Sequence, residues 1–109
     1  MESKRREILH CVAKGKDVFG GWLEALRDVL GRAAILKRLD RVEEGDLGDH
    51  RFVVGGVWEL RVHVGPGYRI YYGEDGPTVI LLLCGGSKRT QKKDISKATR
   101  LWAGYRRLQ

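Results

Sequence analysis

Arg61 and Arg69 are the side chains best suited to chemistry in this chain, because they lie in the runs WELRVHV and YRIYY on either side of a short Gly65-Pro66-Gly67 turn. Each guanidinium is a planar fork of donors that matches phosphate oxygens and stays charged at any physiological pH. A three-residue loop pairs Val64 with Tyr68, Val62 with Ile70 and Leu60 with Tyr72 on one apolar face. By parity Arg61 then faces Tyr71 and His63 faces Arg69 on the other, with Glu59 one step along. A two-residue loop would mix Arg61 with Ile70 and Tyr72, so the hydrophobic pattern argues for the three-residue register. Such a group suits a phosphodiester. In metal-free RNA cleavage the ribose 2′-OH attacks the adjacent phosphate, and each fixed donor to the developing charge is worth about 3 to 4 kcal/mol. The bland alternative is an exposed sheet face with ordinary ion pairs, for instance to Glu59.

Other chemistry finds little support. His10, His50 and His63 are scattered, no HExxH, CxxC or Walker sequence occurs, and GGSK lacks the phosphate-loop spacing, so neither a metal nor a nucleotide cofactor is expected. Cys11 and Cys84 lie in apolar stretches and read as buried free thiols of a reducing cytosol. Trp22, Trp58 and Trp102 read as core rather than as base-stacking platforms. No apolar run approaches the roughly 20 residues that span a bilayer, and no signal-peptide pattern opens the chain, which points to the cytoplasm and away from a membrane partner.

Charge carries more information. The 109 residues hold 21 Lys and Arg against 14 Asp and Glu, a net charge of +7. Residues 1–86 are balanced, so the whole excess falls in residues 87–109, where Asp94 stands alone against Lys88, Arg89, Lys92, Lys93, Lys97, Arg100, Arg106 and Arg107. A localised basic field favours a polyanion such as RNA, or an acidic protein. A solvated helix face is the alternative.

The elements that must position these groups follow from periodicity, within one domain spanning residues 1–109. Residues 6–13 (REILHCVA) read as a first strand. After a turn at residues 14–16, Asp17 caps a helix with Phe19, Trp22, Leu23, Leu26, Val29 and Leu30 inward, ended by Gly31. A second helix over residues 32–44 turns Ile35, Leu36, Leu39 and Val42 inward and Lys37, Arg38, Arg41 and Glu44 outward, stopping at Gly45. EEGDLGDHRF is a polar loop, and Gly55-Gly56 reads as a bulge or kink before the strand over residues 57–64. Strands over residues 68–72 and 78–84 complete an antiparallel meander, and VILLLC should be a central strand covered on both faces, Cys84 sharing a side with Ile80 and Leu82. Gly85-Gly86 releases the chain, and Thr90 caps a final helix carrying Ile95, Ala98, Leu101, Trp102, Tyr105 and Leu108 on one stripe. The expected fold is α+β: a small, mainly antiparallel sheet in the order β-α-α-β-β-β-α, with helices packed on one face.

Several motifs in sequence order resemble a known family. The W-x3-L helix from Trp22, RLDRVEEGDLGD, GGVWELRVHVGPGYRIYY, LLLCGGSK and the following Gln91, Asp94 and Ile95 are similar to the RelE/ParE superfamily of bacterial type II toxins, in particular HigB-like addiction-module killer proteins of phage origin. The resemblance implies a RelE-like fold and a toxin neutralised by a cognate helix-turn-helix antitoxin. Many relatives cleave mRNA on the ribosome, which makes mRNA and the ribosome the implied partners and a small-molecule substrate unexpected. It implies catalytic roles for Arg61, Arg69, Tyr71 and Lys88. RNA contacts are expected from His63, Arg89, Gln91, Lys92, Lys93, Asp94, Lys97 and Arg100. Relatives commonly place a proton-transfer Tyr or His near the C-terminus; here the last histidine is His63 and Tyr105 reads as core, so the general base is unassigned. A non-enzymatic ParE-like poison of DNA gyrase, or an RNA-binding module without cleavage, would fit the same basic surface.

Overall fold

The computed structural model describes residues 4–108. In chain order its elements are β1 (Glu7–His10), β2 (Val12–Ala13), β3 (Lys16–Asp17), α1 (Val18–Ala25), α2 (Val29–Glu43), β4 (His50–Val54), β5 (Val57–Val62), β6 (Tyr68–Asp75), β7 (Val79–Ser87) and α3 (Gln91–Arg107). The expected α+β class is observed. Five strands form a mixed sheet in the order β1-β7-β6-β5-β4, antiparallel except for the β1–β7 pair, while β2 and β3 form a separate ribbon.

Several local expectations change. The first strand divides after His10, and Lys14 and Gly15, both with positive φ, close β2 onto β3 in a two-residue turn. Gly55 and Gly56 do the same between β4 and β5, so they mark a hairpin with an additional strand before it rather than a kink.

The first helix ends at Ala25 and not at Gly31. Asp28 intervenes as the N-cap of α2, its carboxylate accepting from Gly31 N at 2.9 Å. Gly31 lies inside α2, where a Cβ would overlap the Tyr68 ring and the Asp28 carboxylate. Val29 and Leu30 consequently point outward, 63% and 77% exposed. Leu36 and Arg38 are reversed from expectation: Leu36 is exposed, while Arg38 is buried under the loop that follows α2, where it donates to the carbonyls of Leu47 and Asp49.

The sheet is covered on both faces, which corrects the one-face arrangement. On one side Leu60, Val62, Ile70, Tyr72, Ile80 and Leu82 pack with Phe19 of α1 and Ile35, Leu39 and Val42 of α2. On the other, Val57, Tyr71, Leu81, Leu83 and Cys84 pack with Ala98 and Trp102 of α3. Cys84 joins the side of Leu81 because β7 carries an extra residue, Leu83, between the partners of Tyr71 and Tyr72. Leu108, expected on the buried stripe of α3, lies past its end and is exposed. VILLLC is the covered inner strand that its composition implies, flanked by β1 and β6.

The register at the turn also shifts. Val62 pairs with Tyr68, Leu60 with Ile70 and Arg61 with Arg69, so five residues connect the strands instead of three. A shift of two residues preserves parity, so the division into faces stands while the cross-strand partners change.

Candidate functional site

Three strand ends converge at one end of the sheet. Arg61 stands near the end of β5 and Arg69 near the start of β6, directly opposite each other, and Lys88 follows β7. Lys88 is held there by its backbone, whose N–H donates to the carbonyl of Gly67 at 3.0 Å. Together with His63 and the Gly65-Pro66-Gly67 turn they line a cleft of about 440 Å³. Three of the four expected catalytic residues thus meet at one place.

The two arginines differ in their surroundings. Arg69 Nη1 donates to Glu59 Oε2 at 2.8 Å, and Glu59 has no exposed surface. Arg51 approaches the other Glu59 oxygen at 3.4 Å, an ion pair without hydrogen-bond geometry, since that oxygen accepts no bond. Arg61 has no ion-pair partner among the described residues, and its Nε is buried without an acceptor. Arg69 is therefore a fixed, neutralised donor, whereas Arg61 brings to the cleft a charge that no carboxylate contacts directly, Asp49 acting on it only from a distance.

Tyr71 does not join them, which corrects its expected catalytic contact. It is fully buried, its hydroxyl makes no hydrogen bond, and it does not line the cleft. Burial, with the carboxylates of Glu59 and Asp94 adding to it, pushes its ionisation far above the ordinary phenol range, so it stays protonated.

His63 stands on the cleft rim with its Nε2 2.5 Å from Asp49 Oδ2. Asp49 is held below the usual carboxylate range, first by this hydrogen bond, with the charges of Arg61, His63 and Arg38 adding to it. An ionised carboxylate only accepts, so Nε2 donates to Asp49 and Nδ1 is the ring nitrogen left outside that bond.

Residues 21–103 match the family described as Phage derived protein Gp49-like (DUF891). The chain belongs to this family. It is also similar to a protein of Haemophilus influenzae (strain ATCC 51907 / DSM 11121 / KW20 / Rd) called "Uncharacterized protein", 41% identical over 80 residues that cover 73% of this chain and 81% of the relative. The family match takes in Arg61, His63, Arg69 and Lys88.

The expected RNA contacts of this Gp49-like chain divide into groups. Lys93, Asp94 and Lys97 line a second cleft, about 400 Å³, between α3 and Trp22 of α1; Tyr68 lines both this cleft and the first. Asp94 is buried, accepts from Thr90 Oγ1, and lies so close over Gly86 that any Cβ there would overlap it. Arg89 and Lys92 are exposed and Gln91 is half-buried at the start of α3, and none of the three lines either cleft. Arg100 is elsewhere: it donates to Ser96 and borders a hollow beside Cys11 and Val12. Among the described residues no three His, Cys, Asp or Glu side chains gather as a metal would require, and no helix is long and apolar enough to cross a membrane.

Three contributors escaped the sequence reading. Glu59 was seen as a neighbour, but its complete burial, which makes it the anchor of Arg69, was not. Asp49 and Arg38 depend on how the loop after α2 folds back, and no periodicity reports that. A signal for Arg38 did exist: it falls one helical turn after Ile35 and directly before Leu39, on the flank of the buried stripe.

Proposed function

We propose that this Gp49-like protein is the toxin of an addiction module, restrained by a cognate antitoxin, and that it cuts mRNA on the ribosome without a metal ion. The observation that carries the reading is the convergence of Arg61, Arg69 and Lys88 on one cleft beside the His63–Asp49 pair. The association of the Gp49-like family with addiction-module toxins supports the biological setting.

In this reading His63 Nδ1 accepts the proton of a ribose 2′-OH, and O2′ attacks the neighbouring phosphorus. Arg61, Arg69 and Lys88 hold the non-bridging oxygens as their charge grows, in a site that Glu59 keeps rigid. The P–O5′ bond then breaks and the departing 5′ oxygen takes a proton from water. The products are a 2′,3′-cyclic phosphate and a 5′-hydroxyl. His63 replaces the C-terminal proton-transfer group that related toxins use, and Tyr71 serves as packing beneath the site.

Induced expression followed over minutes tests this. Translation should fall first, with new 5′-hydroxyl mRNA ends inside coding regions. DNA-damage signalling that precedes any loss of translation would favour a gyrase poison instead, and arrest without new mRNA ends would reject the nuclease.

A further inference from the structure

We propose that the groove between α2 and the end of β5 binds a second phosphate of the same RNA strand; the proposal rests on the ribonuclease reading above. The groove, about 350 Å³, shares residues 61–64 with the cleft, so a strand leaving the cleft over His63 enters it directly. Its α2 wall presents Lys37, Arg38 and Arg41.

The balance of charge there is what calls for an anion. Arg41 is matched by Asp46, and Asp49 is engaged by His63. Lys37 is exposed and has no ion-pair partner among the described residues. Arg38 is 8% exposed and its donated hydrogen bonds go to main-chain carbonyls, not to a carboxylate. Burial, and then the adjacent Arg41, lower its pKa, while Asp46 and Asp49 offset this only in part. Lys37, Arg38 and Arg61 therefore leave a positive field along a concave, solvent-open strip. A phosphodiester in the groove meets Lys37 directly and relieves the field of Arg38 without displacing its carbonyl bonds. An elongated polyanion is favoured over a small one because the strip continues the cleft.

The test uses the full chain and a single-stranded RNA oligonucleotide with 2′-deoxy substitution, which binds without being cut. Its affinity is measured by fluorescence anisotropy over a range of salt. A single-strand phosphate contact contributes about 0.7 to the slope of log affinity against log salt. Lys37→Gln, an exposed change that spares the fold, should lower the slope by about that amount, and Lys37→Glu should weaken binding further. Lys14→Gln, in the β2–β3 turn and lining neither cleft, should behave as wild type. An unchanged slope in Lys37→Glu while Arg61→Ala lowers it would overturn the groove and leave the ribonuclease reading intact. Absence of wild-type binding to the free strand would overturn the groove, while cutting on ribosomes would still decide the ribonuclease reading. Normal RNA binding with lost antitoxin capture in Lys37→Glu would assign the groove to a protein, and overturn the proposal.

Discussion

Arg61 and Arg69 face each other across two strands, but their substitution should have different consequences because only Arg69 neutralises a buried carboxylate. Arg69→Ala leaves Glu59 in the interior without its nearest cation, a loss of about 3 to 5 kcal/mol for a broken buried pair. Urea unfolding should show that loss, and Glu59→Gln in the same chain should recover a large part of it. Arg61→Ala should unfold near the wild-type midpoint, which makes it the cleaner probe of function. At this scale the sequence singled out Arg61, Arg69, His63 and Lys88 through parity and motif, and the four line one cleft. It missed the burial of Glu59 and the partner of His63, because burial beneath a strand and the return of a loop leave no mark in local spacing.

Among the elements, the join between α1 and α2 is where the turn behind the cleft is secured. Asp28 caps α2 and also accepts the Tyr68 hydroxyl at 2.6 Å, tying the helix to the start of β6. These bonds, that from Tyr68 foremost, hold the Asp28 carboxyl below its usual range, and the same bond pushes the Tyr68 phenol up to about 12. A depressed carboxylate pKa stabilises the fold above the unfolded value and ceases to do so as pH falls through the folded one. The urea midpoint should therefore decline below about pH 4, and Asp28→Asn should remove part of that decline. On the opposite face Trp102 lies over Gly73 and Gly56, where a Cβ would overlap its ring. Trp102→Ala should cost about 3 to 5 kcal/mol, read as a lower denaturant midpoint with α3 loosened. The elements themselves were largely legible, since β5, β6, β7 and α3 follow their hydrophobic periods. The break at Asp28 was obscured because Val29 and Leu30 continue an apolar pattern across it, and β4 was hidden in a segment that reads as polar loop.

For the whole molecule, helices on both faces leave the end of the sheet as the open surface, where β5, β6 and β7 deliver their cations. The apolar stripe of α3 required a face of its own, and it took the one that strand parity gives to Arg61, Arg69 and Tyr71. Tyr71 and Glu59 are buried for this reason, while Arg61, Arg69 and Lys88, nearer the strand ends, still reach the cleft. The basic excess of residues 87–109 is correspondingly divided: Lys88 lines the first cleft, Lys93 and Lys97 the second, and Arg100 lies apart. The most direct measurement is the rate and end chemistry of mRNA cutting by purified protein on translating ribosomes, wild type against Arg61→Ala. The cut ends should be 5′-hydroxyl and 2′,3′-cyclic phosphate, and the rate about 100- to 1,000-fold lower in an Arg61→Ala protein that unfolds like wild type. 5′-phosphate ends, or Arg61→Ala cutting at the wild-type rate, would rule out the metal-free cleft as the site of cleavage.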